Sequence, residues 1–97
     1  MKLTQFRIPW EKGLHLRPAS QLVRLAQASK SVICIRVGEK VADARSILAI
    51  LLLCAVAGRV VDVEITGEDE DAVLASVTSV FNQSVAGENF IQGDSEV

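Results

Sequence analysis

The single histidine of the chain, His15, stands in the segment Gly13-Leu14-His15-Leu16-Arg17-Pro18-Ala19, with a guanidinium two residues after it. Histidine is the side-chain type that changes charge near neutral pH, so nitrogen acid–base or nucleophilic chemistry at pH 7 has one obvious candidate. Just beyond it, Ala19, Leu22, Val23 and Ala26 recur at i, i+3, i+4 and i+7, the spacing of one helix face. Pro18 suits the first turn of that helix, where a missing N–H costs nothing. His15 therefore lies at a junction between a loop and a helix N-terminus. Backbone N–H groups there have no intrahelical partner, and the helix dipole adds partial positive charge. Together they form an anion cradle, to which Arg17 adds a charge-assisted contact. The same positive groups should favour the neutral, nucleophilic imidazole at pH 7. They would also hold the negative charge that a phosphoryl group brings, so the arrangement suits a reversible phosphohistidine. The plainer reading is a histidine that caps its helix, with Arg17 as an ordinary solvated charge.

A second position of interest is Ser46. It precedes the apolar run Ile47–Ala57 and reads as a helix N-cap, whose loss would cost about 1 kcal/mol. A phosphate at such a place is electrostatically tolerated, which leaves room for a regulatory role beside the structural one. The helix that follows is apolar nearly all round (Ile47, Leu48, Ile50, Leu51, Leu52, Leu53). A helix on one side of a small sheet cannot bury every face, so part of this surface should be an exposed patch for a partner. Dimerisation, or fuller burial, is the other reading.

These sites need a scaffold. Residues 2–9 are rich in β-formers and end at Pro9; residues 16–30 form the first helix. Residues 32–37 read as a strand with apolar residues on both faces. Gly38-Glu39 then gives a two-residue, type II′ connection to a strand at 40–42. The second helix is expected over roughly 47–57, with Gly58 as its C′ residue. Val61, Val63 and Ile65 alternate with Asp62 and Glu64 in a last strand over 60–65. Acids at 68–71 complement the start of a third helix, whose apolar face is Val73, Val77, Val80 and Phe81. The order β-α-β-β-α-β-α predicts an α+β open-faced sandwich: a four-stranded, mainly antiparallel sheet with three helices on one side. One domain is expected over 1–82, with 83–97 a mobile tail on which Phe90 and Ile91 could still dock.

Composition bounds the function. The 97 residues are 49% hydrophobic with four aromatics, so one domain with an aliphatic core is expected. The net charge of -2 argues against a nucleic-acid footprint. The tail holds Glu88, Asp94 and Glu96 and no base, leaving residues 1–82 at a net +1. Cys34 and Cys54 lie 20 positions apart without a CxxC or His/Cys cluster, which argues against a zinc site. No secretory signal is visible, so a cytoplasmic protein with reduced thiols is expected. The longest apolar run has 11 residues, too few to span a membrane.

The segment Gly-Leu-His-x-Arg-Pro-Ala at 13–19 resembles the signature of HPr, the histidine-containing phosphocarrier of the bacterial phosphoenolpyruvate-dependent sugar phosphotransferase system. Ala44-Arg45-Ser46-Ile47-Leu48 looks like that family's regulatory serine segment, and Gly67-Glu68-Asp69-Glu70 agrees weakly. The likeness covers residues 2–82. It implies that His15, through Nδ1, accepts a phosphoryl group from phospho-enzyme I and passes it to sugar-permease IIA domains. Arg17 would then be the phosphate-binding partner and Ser46 the target of an ATP-dependent HPr kinase/phosphorylase. The docking surface would be formed by Leu16, Ser20, Ile47, Leu48, Leu51 and Leu52. Such a protein is a monomeric substrate and carrier, not a complete enzyme, and needs no cofactor or metal. Some positions depart from the usual pattern. Leu16 replaces a small residue, Lys12 stands where Asn is common, and Leu52 and Cys54 stand where Ser and Gly are frequent. Lys12 would add positive charge near the phosphate; Leu52 and Cys54 bear on partner identity. Two other readings stay open: a paralogue serving nitrogen or carbon regulation, and a non-catalytic α+β interaction module.

Overall fold

A computed structural model describes the backbone of residues 1–90 and the side chains of residues 1–82. Seven elements follow in chain order: β1 (Lys2–Arg7), α1 (Leu16–Ala28), β2 (Val32–Val37), β3 (Lys40–Asp43), α2 (Ile47–Leu52), β4 (Val60–Thr66) and α3 (Glu70–Phe90). The four strands form one sheet in the order β1-β4-β2-β3. All neighbouring pairs are antiparallel, with Phe6 opposite Val61, Ile35 opposite Val63 and Ile35 opposite Ala42. The expected order and open-faced α+β architecture are what the chain adopts.

The register explains the burial. Strand side chains alternate between faces, so Ile33, Ile35 and Val37 of β2 and Val61, Val63 and Ile65 of β4 all point at the helices and are buried. The opposite face carries Val32, Cys34, Arg36, Asp62 and Glu64, all exposed or half-buried. Strand β2 is therefore one-sided, although its composition reads as apolar on both faces. The helices close the core with Ala19, Leu22 and Ala26 of α1, Ile50 of α2, and Val73, Val77, Val80 and Phe81 of α3. Val23 on the expected α1 face is half-buried. The core is aliphatic except at one end. There Phe81 stacks on Phe6, with centroids 4.3 Å apart and planes at 4°, and meets the tilted ring of Trp10 at 5.0 Å and 33°.

Several boundaries differ from expectation for tertiary reasons. Helix α1 ends at Ala28 instead of Lys30: Ser29 donates its hydroxyl to the carbonyls of Ala26 and Ser31, and the Lys30 N–H is taken by Asp69. The two-residue connection holds, with Val37 opposite Lys40 and Gly38 at φ 60°. Helix α2 stops at Leu52, five residues short of the expected end. The N–H groups of Leu53 and Cys54 bond back only three residues, to Ile50 and Leu51, which tightens and ends the helix. The left-handed position after it is filled by Cys54 at φ 53°, not by Gly58. Gly58, at φ 85°, instead exchanges contacts with β1: its N–H donates to the Ile8 carbonyl and its carbonyl accepts from Arg7. Helix α3 continues through Phe90, past the domain boundary expected at residue 82. The remainder of the expected tail, with Ile91, lies outside the described residues.

Candidate functional site

The loop that carries His15 is fastened to the loop that follows α2. Gly13 has φ 77°, and a Cβ on it would lie 2.6 Å from the Ala55 carbonyl oxygen and 3.2 Å from Val56 Cα. Only glycine fits both the backbone conformation and the close approach. The next amide, Leu14 N–H, donates to the Ala55 carbonyl at 2.8 Å, and Gly13 N–H turns back to Trp10 at 2.9 Å. Leu14 and Trp10 are buried. The residue before His15 is thus held by a hydrogen bond, a buried side chain and a steric limit.

His15 itself is the N-cap of α1, extended at φ -98° and ψ -172°. Its carbonyl accepts the first helical bond from Ala19 N–H at 3.0 Å. The imidazole makes no side-chain capping bond to its helix. The amides of Leu16 and Arg17 open the helix ahead of Pro18, which has no N–H, and face the end where the dipole is positive. In front of them is an open cleft of about 520 Å³, lined by His15, Leu16, Arg17, Ser20, Gln21 and Arg24. Imidazole, guanidinium and helix N-terminus therefore share one concavity, an arrangement that can accept and hold an oxyanion beside a nucleophilic nitrogen. Gln21 and Arg24 were not among the expected site residues. The signal for them is the helical spacing from Arg17, at i+4 and i+7, on the face opposite the buried one. Lys12 is exposed and is not among the residues lining the cleft, so its expected contribution to holding phosphate has no counterpart in the cleft geometry.

Ser46 and the α2 leucines lie apart from this concavity. Ser46 is the N-cap of α2, its Oγ accepting from Ala49 N–H at 3.1 Å. Leu48 and Leu52, one turn apart, are 64% and 61% exposed, and Leu16 is 61% exposed. Val56 is 63% exposed and abuts Gly13; it had been expected inside a longer α2. Ile47 and Leu51 are half-buried and Ile50 is fully buried. The apolar surface is thus real but narrower than the sequence of α2 suggests, and it extends to Val56 beside the His15 loop.

The remaining polar groups serve the scaffold. Asp69 accepts from Lys30 N–H and Ser31 Oγ, and those bonds hold its carboxyl below the usual carboxylate range. Glu70 is lowered first by the bond from the chain's amino group and then by Gly67 N–H. Both thiols are free. Burial pushes the Cys34 thiol up, and Asp43 and Glu64 beside it add to the rise. Among the described residues there is no group of three His, Cys, Asp or Glu placed to hold a metal, and no helix is long and apolar enough to cross a membrane.

Comparison with known proteins agrees with this geometry. Residues 3–83 match the family model described as PTS HPr component phosphorylation site. The phosphocarrier protein NPr of Escherichia coli strain K12 is 39% identical over 71 residues, covering 72% of this chain and 79% of that protein. The phosphocarrier protein HPr of Lysinibacillus sphaericus is 36% identical over 83 residues, covering 86% and 94%. Among solved structures, HPr-C-His from Thermoanaerobacter tengcongensis superposes with a TM-score of 0.82 at 29% identity, covering 89% of this chain and 97% of that one. A cleft that joins one imidazole to an anion cradle, on this fold and with these relatives, places the chain in the HPr family of phosphocarrier proteins.

Proposed function

We propose that His15 is the phosphoryl acceptor of this carrier and Arg17 the side chain that holds the transferred group. The observation that supports this most is the position of the imidazole, at the N-terminal mouth of α1 and in one cleft with Arg17. Phosphoryl transfer needs little covalent chemistry from the protein; it depends on positioning and on stabilising charge on the equatorial oxygens. An imidazole nitrogen forms the N–P bond in line as the bond between phosphorus and the donor breaks, and the electron pair leaves with the donor. The three oxygens then lie against the Arg17 guanidinium and the first amides of α1. The reverse displacement, by an acceptor's nucleophile, empties the site. The chain supplies a substrate and a pre-arranged cradle, while turnover belongs to its partners.

Those partners are, in this reading, enzyme I as donor and IIA domains of sugar permeases as acceptors, docking on Leu16, Ser20, Leu48, Leu51, Leu52 and Ile47. The exposure of Leu16, Leu48 and Leu52 supports an apolar contact. Phosphorylation of Ser46 by an HPr kinase/phosphorylase would put charge at the edge of that surface and weaken docking. The Ser46 cap bond explains the serine without regulation, so mass spectrometry after incubation with such a kinase decides the matter. An unmodified Ser46 peptide removes the regulatory role. Both HPr and NPr proteins are similar to this chain, which favours as a second reading the same carrier chemistry serving nitrogen or carbon regulation. Transfer rates to acceptors of each kind separate the two. With enzyme I and phosphoenolpyruvate, Arg17→Gln should accept phosphate at least tenfold more slowly than the wild type, since a charge-assisted contact contributes roughly 1.5–3 kcal/mol. An unchanged rate would remove Arg17 from the account.

A further inference from the structure

The carrier reaction gives no role to the crease between α1 and α3. The two helices pack against each other, and they are tied at one end where Lys30 N–H donates to Asp69. Along their length they border an open crease of about 470 Å³. Each helix turns a polar pair into it at i, i+3 spacing, the spacing of neighbours on one helix face: Gln21 and Arg24 from α1, Ser76 and Ser79 from α3. Half-buried Leu25 and buried Val80 supply an apolar floor.

None of the four polar side chains is spent on the scaffold. Thr78 returns its hydroxyl to the Leu74 carbonyl at 2.8 Å, a common fate of a hydroxyl inside a helix. Among the described residues, Ser76 and Ser79 make no such bond, and the Gln21 and Arg24 side chains have neither hydrogen bond nor ion pair. No carboxylate lines the crease among the described residues. It therefore offers a planar guanidinium, which takes a phosphate through two parallel bonds. Beside it stand a carboxamide and two hydroxyls, each able both to donate and to accept. That set complements a phosphate on a hydroxylated carbon skeleton, whose C–H face would rest on Leu25 and Val80. We propose that the α1–α3 crease is a binding site for a small phosphorylated polyol, with Arg24 on the phosphate and Gln21, Ser76 and Ser79 on the hydroxyls.

Arg24 and Ser79 are exposed, so solvent and salt screen the contact and the dissociation constant is on the order of 1 mM. Gln21 and Arg24 also line the His15 cleft, which couples the two sites. An occupant engages the Arg24 guanidinium and brings about −1.5 to −2 charges to the edge of the cleft, opposing the arrival of a second phosphoryl group there. By linkage, phosphorylation at His15 weakens the occupant by the same factor. The coupling rests on the phosphocarrier reading; the binding itself does not.

The site is tested on the full chain by following amide signals during titration with glucose 6-phosphate, glycerol 3-phosphate, inorganic phosphate or glucose at constant ionic strength. The two phosphorylated polyols should give saturable shifts at Leu25, Ser76 and Ser79, at concentrations at least threefold lower than inorganic phosphate or glucose requires. Arg24→Gln should remove the response, and Ser76→Ala with Ser79→Ala should weaken it at least threefold. Shifts confined to residues 15–17, an equal response to inorganic phosphate, or a response that survives both sets of substitutions would each overturn the site. With enzyme I, saturating glucose 6-phosphate should slow phosphorylation of the wild type about twofold or more and leave the Ser76→Ala, Ser79→Ala chain unaffected. Equal slowing of both chains, or of neither, would overturn the coupling. If neither chain accepts phosphate even without glucose 6-phosphate, the carrier reading fails, and the titration alone decides the site.

Discussion

Gly13→Ala tests whether the His15 loop is held by contact with the loop after α2. The new methyl carries two costs. The first is conformational: a φ of 77° costs a residue with a Cβ about 1–2 kcal/mol. The second is steric. The Cβ would meet the Ala55 carbonyl oxygen at 2.6 Å, so the two loops must part by several tenths of an ångström. The carbonyl displaced is the one that accepts Leu14 N–H at 2.8 Å, and losing that bond adds about 1 kcal/mol. The sum is about 2–3 kcal/mol, or a fall in melting temperature of about 10–20 °C for a domain of this size. Gly58→Ala is the control. Its φ is 85°, but nothing lies within 4 Å of the added Cβ, so only the conformational cost applies, about 1–2 kcal/mol. Calorimetry on both variants isolates the contact. Phosphorylation of the folded Gly13→Ala chain should also slow by about tenfold or more, because small misplacements of a reacting group are expensive. If Gly13→Ala melts no lower than Gly58→Ala and transfers normally, the fastening of the two loops is not what positions His15.

Other outcomes follow from the scaffold and the apolar surface. Asp69 and Glu70 have folded pKa values below their ordinary 3.8 and 4.5, so they contribute stability that is present above those values and is lost as pH falls through the folded ones. Melting temperature should therefore drop below about pH 4.5, and Asp69→Asn should flatten that drop; an unchanged acid profile would contradict the role of the Lys30–Ser31 clasp. Cys54→Gly should stabilise the chain by up to about 1 kcal/mol, because Cys54 carries φ 53° without need of its side chain. A lower melting temperature would show that the thiol contributes packing. Leu48→Lys and Leu52→Lys, at positions 64% and 61% exposed, should change stability by no more than about 0.5 kcal/mol while slowing transfer from enzyme I. Unchanged transfer would exclude a docking role for α2.

Much of this molecule is legible in its residues where the signal is local. The alternation in Val61, Val63 and Ile65 and the helical spacing from Ala19 to Ala26 each report a face that the sheet or core then buries. Ser46 announces its helix through a bond three residues long. What escapes is set by contacts distant in sequence. The apolar run after Ile47 gives no sign that α2 must end early, because the reason lies in the backbone of residues 54–58. That backbone is committed to Leu14, Ile8 and Arg7. The end of α1 is likewise decided by Asp69, 39 residues away from Lys30. Within the cleft, His15 and Arg17 stand out by type and spacing. Gln21 and Arg24 look like any solvated helix face until the fold turns that face beside His15.

The most direct test of the account is where phosphate goes. The wild-type chain and His15→Ala are incubated with enzyme I and labelled phosphoenolpyruvate, then digested and mapped. Label should appear in the peptide containing His15 and be absent from a folded His15→Ala chain. A wild-type chain that stays unlabelled beside an authentic carrier, or a His15→Ala chain labelled equally well, would contradict the assignment of His15 as phosphoryl acceptor.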